Sequence, residues 1–145
     1  MIKRYLWKAT FMIITVLLIM LFSGCNKNVD PIDVFHEYTD AWSKMDFYTM
    51  YDMMSDQNKT EISQQEFINT YQEFYEGIKV QSVGIKLLLN EDEISQENKS
   101  EGFINFPVNV EISTEYGVKS YDAEIDLIEE TENDKNVWRV LWNYD

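Results

Sequence analysis

From about residue 30 onward the hydrophobic positions recur first with a helical period and then with a strand period. Val34, Tyr38, Ala41, Trp42 and Met45 fall on one face of a helix that Asp30-Pro31 begins, with Asp at the N-cap and Pro at the first helical position. A second, shorter helix follows Asp46 and puts Phe47, Met50, Tyr51 and Met54 on one side. The polar stretch 55–63 reads as a loop or a single turn. Ser63 and Glu66 then form a capping box, S-x-x-E, that opens a third helix marked by Phe67, Tyr71, Phe74 and Tyr75. Gly77 is placed to end it in the left-handed conformation.

Past Gly77 the period becomes two. Val83, Ile85, Leu87 and Leu89 form one strand, and residues 90–102 a solvated connection. Ile104, Phe106, Val108, Val110 and Ile112 alternate with Asn105, Pro107, Asn109, Glu111 and Ser113, giving one dry face and one wet face. Pro107 cannot donate to a ladder, which predicts an edge or a bulge there. After a turn at "TEYG", Tyr121, Ala123, Ile125 and Leu127 carry a third strand. Residues 129–136 make an acidic tip, and Trp138, Val140 and Trp142 a last strand. Helices first and hairpin-joined strands after them predict an α+β domain, three N-terminal helices on one face of a four-stranded antiparallel sheet.

Composition narrows the function classes. The chain of 145 residues is 45% hydrophobic and 14% aromatic, enough for a core. Its net charge is −14, and the first 24 residues hold three bases and no acid, so the remainder is more acidic still. Such a surface repels phosphates, which excludes nucleic acid as a partner. One cysteine allows no internal disulfide and no cysteine-based zinc cluster.

That cysteine, Cys25, closes a basic leader and twelve uncharged residues, "FMIITVLLIMLF". A membrane-spanning helix needs about 20 apolar residues and a secretory leader about 7–15. Small residues, Ser23 and Gly24, stand directly before Cys25. The ending "LFSGC" resembles the lipobox of bacterial lipoproteins, with Phe22 where leucine is usual. The resemblance implies a signal peptide over residues 1–24, a lipid on the Cys25 thiol, a tether over 25–29 and a folded domain over 30–145. It also implies a lipid anchor at the extracytoplasmic face of the cell membrane, where two acyl chains hold better than one.

"PIDVFHEYTDAWSKMDFYTMYDMMS" and "TEISQQEFINTYQEFYEGIKV", with the closing "WRVLW", resemble the N-terminal domain of MecA-type class B penicillin-binding proteins. Trp42, Asp46, "MYDMMS", "ISQQEF" and "YEGIKV" carry the resemblance, which runs from about Asp30 to Trp142. It implies a nuclear-transport-factor-2-like cone, a curved antiparallel sheet wrapped around helices. It further implies a non-catalytic accessory module linked to the response to β-lactam antibiotics. The transpeptidase signatures S-x-x-K, S-x-N and K-[ST]-G are absent from these residues; Lys59-Thr60-Glu61 and Lys99-Ser100-Glu101 lack the glycine. Family members continue well past the position of Asp145, so the expectation is either a stand-alone lipoprotein or the leading part of a broken gene.

The remaining residue types point to little chemistry. His36 lies about 200° around the first helix from Tyr38 and is expected on the surface. Asp46 is expected as a helix cap and Asp40 as an exposed charge. The acidic runs at 91–93 and 129–134 lack the glycine-bent loop that a calcium site uses. The expectation is therefore no catalytic residue, no cofactor and no metal, with lipid attachment at Cys25. The partners expected are the membrane and a cell-envelope protein such as a penicillin-binding protein. Two alternatives remain open at this point: a cone that binds a small apolar ligand, and an isomerase- or dehydratase-like enzyme. A cone filled by Trp42, Tyr71, Phe74 and Trp138 would eliminate both. An open cavity above about 300 Å³ with buried carboxylates would favour them.

Overall fold

A computed structural model describes residues 29–97, 99, 100 and 102–143. Cys25, the expected signal peptide and most of the tether lie outside the described residues. Helix α1 (Pro31–Ser43) starts where expected, with the Asp30 carboxylate accepting from Ile32 N at 3.1 Å. It ends in a Schellman motif: Asp46 N donates to Ala41 O and Met45 N to Trp42 O, with Met45 left-handed at φ 57°. Asp46 then caps α2 (Phe47–Asp52), accepting from Thr49 N at 3.1 Å and Thr49 Oγ1 at 2.8 Å. One residue thus closes one helix and opens the next.

The stretch expected as a loop or single turn forms a short helix, α3 (Asp56–Glu61), capped by Ser55. Ser63 caps α4 (Gln64–Gly77) as expected. Gly77 does not end α4 in the left-handed region. The chain runs on through Ile78, and Lys79 takes that conformation at φ 57°. Two main-chain bonds, Ile78 N to Phe74 O and Lys79 N to Glu76 O, carry the helix past the glycine.

The sheet contains β1 (Val80–Leu87), β2 (Lys99–Ser100), β3 (Phe103–Thr114), β4 (Gly117–Glu132) and β5 (Lys135–Leu141). The long strands run in the order β1-β3-β4-β5, all antiparallel, and β2 adds a two-residue pairing to β3. Between β1 and β2 the expected solvated connection includes a helix, α5 (Glu91–Glu97), whose Ile94 is buried. Asn133 and Asp134 are both left-handed, the conformation of a two-residue hairpin turn joining β4 to β5.

Pro107 sits in β3, a central strand, and at no bulge. Its missing N–H is tolerated because β1 turns away there. Leu88 N still donates to Pro107 O at 2.9 Å, and the β1 pairing ends at Leu87 and Val108. The proline therefore costs one bond at the end of a ladder.

The dry faces of the curved sheet meet the helices over one core. Phe106, Val108, Val110 and Leu127 from the sheet, Met50 and Phe67 from the helices, and Met54, which bridges to Val140 after α2, are almost fully buried. The Phe35 and Phe106 rings stack at 4.5 Å, tying α1 to β3.

Candidate functional site

A cleft of about 530 Å³ opens between α1, α4 and the inner face of the sheet. Its walls include Tyr38, Trp42, Tyr71, Tyr75, Tyr121 and Trp142. Helical spacing puts Tyr38 and Trp42 one turn apart on α1 and Tyr71 and Tyr75 one turn apart on α4. Trp42 Nε1 donates to the Tyr75 hydroxyl at 2.7 Å, and Trp142 Nε1 donates to the Tyr71 hydroxyl at 3.1 Å. Each indole thus locks a tyrosine. Phe67 packs beneath, 4.8 Å from the Tyr71 ring and 5.0 Å from the Trp142 ring.

The hydroxyls are costly to ionise. Burial pushes Tyr38 well above the ordinary tyrosine range, and the nearby Tyr71 and Tyr75 raise it further. Burial also raises Tyr75, against the opposing effect of the Trp42 hydrogen bond, and it raises Tyr121. These groups stay neutral near pH 7, so the site offers aromatic faces and neutral donors rather than a base.

With a cleft of this size the cone is open rather than filled. Phe74, expected on the core face of its helix, is 53% exposed at the rim, and Trp138 lies outside the cleft. No Asp or Glu is buried among the described residues. Asp122 and Asp126 border the cleft through the edge of β4, but their carboxylates lie on the outer face of the sheet, bound at 2.7 Å by Asn109 and Asn105 respectively. The expected surface residues fall where anticipated. His36 is exposed, with Nε2 3.1 Å from Glu91 Oε1, and Asp40 pairs with Lys44 at 2.6 Å. Hydrogen bonds from both the side chain and main chain of Thr49 lower the Asp46 carboxyl below its ordinary value. Among the described residues, no three His, Cys, Asp or Glu converge as a metal site, and no helix is long and apolar enough to cross a membrane.

Sequence reasoning missed one polar cluster. Ser55 and Asn58 are buried at 1% and 4% exposure. The Asn58 amide accepts from Trp142 N and donates to Trp142 O, both at 2.8 Å. Ser55 N donates to Val140 O, and Val140 N to Met53 O. Together these groups cover the C-terminal end of the outer edge of β5, at Val140 and Trp142. The available signal was the S-x-x-N spacing at the start of α3.

Residues 30–145 match the family model described as the NTF2-like N-terminal transpeptidase domain. Penicillin-binding protein 3 of Bacillus subtilis (strain 168) is 30% identical over 121 residues, 83% of this chain. The match spans only 18% of that protein's length. Domains of this family form a non-catalytic N-terminal part of penicillin-binding proteins. A crystal structure of a SEC-C motif containing protein from Psychrobacter arcticus aligns with a TM-score of 0.57 at 9% identity. That alignment covers 83% of this chain and 63% of the other and reflects fold alone.

Proposed function

Because this chain belongs to the NTF2-like N-terminal transpeptidase domain family, we propose that it is a non-catalytic accessory module that docks onto a partner at the cell envelope. A lipid on Cys25 holds it at the outer face of the membrane. The partner class is a penicillin-binding protein, and the link to β-lactam response runs through that partner. One observation carries the reading. The family relation covers residues 30–145, and the domains of that family are a non-catalytic part of penicillin-binding proteins.

A second reading draws on the open cleft. Its volume and aromatic walls suit a small apolar ligand held on a lipid-anchored cone. The enzyme reading needs two or more polar groups converging inside the cone. The Trp42–Tyr75 and Trp142–Tyr71 pairs supply neutral ones, and the carboxylates of the described residues are exposed or half-exposed, which favours the two binding readings.

Metabolic labelling with radioactive palmitate tests the anchor. The wild-type chain takes up label and Cys25→Ala does not; equal labelling of the two overturns the lipid assignment. Fluorescent penicillin should leave no covalent band on the purified chain, and a band would overturn the non-catalytic reading.

A further inference from the structure

We propose that the open edge of β4, beside the aromatic cleft, receives an extended basic segment of a partner protein as an added strand. The proposal rests on the docking reading and names the surface that docking would use.

The edge follows from register. Strand β4 pairs with β3 from Gly117 to Ile128 without a shift, but with β5 only from Asp126 to Glu132. Glu129 N donates to Gly102 O at 2.9 Å, so the odd-numbered residues of β4 turn their main chain toward β3. In an unbroken antiparallel ladder the even-numbered residues face the other way. Val118, Ser120, Asp122 and Glu124 therefore present N–H and C=O groups on the side away from β3. Among the described residues no strand lies there, and all four are exposed. The fold treats the neighbouring edge differently: Met53, Ser55 and Asn58 satisfy the outer main chain of Val140 and Trp142. Covering the end of β5 and leaving the adjoining lane of β4 open makes that lane a template for strand addition.

Chemistry on the two sides of the lane selects the occupant. Side chains of an added strand alternate between the sheet faces. On the inner side they meet the cleft, with Tyr121, 45% exposed, and Trp142. On the outer side they meet Asp122 and Glu124, with Glu111 on β3 opposite Ser120. Lys119 is the one base in the open stretch, on the cleft side. A segment alternating apolar and basic residues matches both faces, about seven residues long at roughly 3.4 Å each. A second copy of this chain, at net charge −14, matches the outer face poorly.

The test uses the isotopically labelled full chain in non-ionic detergent and two synthetic nine-residue peptides, one alternating lysine with valine and one alternating glutamate with valine. The lysine peptide should bind and slow amide hydrogen exchange at Ser120 and Glu124, while the Tyr121 amide, already in the β3 ladder, should change little. Ser120→Pro and Glu124→Pro each remove one donor from the open side only and should weaken binding at least tenfold. If the proline variants misfold, Asp122→Arg with Glu124→Arg should exchange the preference from the lysine to the glutamate peptide. Unchanged affinity in folded proline variants, absent protection, or equal binding of both peptides overturns the proposal. Protection of the same amides by self-association without peptide assigns the edge to a second copy and also overturns it. Failure here alongside capture of an envelope protein would remove the edge and leave docking standing.

Discussion

Asn58 holds the main chain of Trp142 with both ends of its side-chain amide, 2.8 Å on each side. A side chain from a six-residue helix thereby stands in for a strand neighbour at the end of β5. It is itself held, because Ser55 Oγ donates to Asn58 Oδ1 at 2.8 Å and accepts from Asn58 N at 3.2 Å. Leaving a buried donor or acceptor unpaired costs about 1–3 kcal/mol, so Asn58→Ala, which strips two from Trp142, should lose about 2–4 kcal/mol. Urea unfolding followed by tryptophan fluorescence measures it. Wild-type stability in Asn58→Ala would show that water replaces the amide without loss.

Asp46 gives the fold an acid-sensitive joint. Its carboxyl is lowered by the Thr49 hydrogen bonds, so it contributes stability that is present above its unfolded value and lost as pH falls through the folded one. Asp46→Ala should therefore melt below the wild type at about pH 6, and the gap should narrow below about pH 4 as the native carboxyl protonates. A gap that stays constant down to strong acid would mean the charge plays no part in the cap.

Tyr38 acts at the opposite end of the pH scale. Its raised value means that folding favours the neutral hydroxyl; that stability is complete below the unfolded value, about 10, and is lost as pH climbs toward the folded one. Tyr38→Phe removes this liability and should move the alkaline unfolding midpoint upward in circular dichroism. An unchanged midpoint would place the alkaline weakness elsewhere, with Tyr75 the next group to replace.

Much of this architecture is legible in the sequence because it rests on long periodic runs. The face of Val34, Tyr38 and Ala41 and the alternation from Ile104 to Ile112 both lie buried as their spacing predicts. What escapes notice is short or depends on a partner element. Helices α3 and α5 are six and seven residues long and mostly polar, yet Asn58 from the first and Ile94 from the second are carried deep into the fold. Gly77 looks like a helix stop, yet two further main-chain bonds move the left-handed residue to Lys79. Pro107 looks like an edge residue until the departure of β1 is known. The cleft is hidden for a related reason. Spacing puts Tyr71 and Tyr75 on one face of a helix, but only the tertiary placement of Trp42 and Trp142 decides whether those rings fill a cone or line it. The open edge of β4 needs the register of three strands before it can be seen at all.

The docking role is tested most directly by capture from membranes. The tagged, lipidated chain would be crosslinked in intact cells, solubilised in mild detergent and purified, with an unrelated tagged lipoprotein as the background. Specific enrichment of a cell-envelope protein, and of a penicillin-binding protein in particular, is the expected result. Recovery of no envelope protein above that background would contradict it.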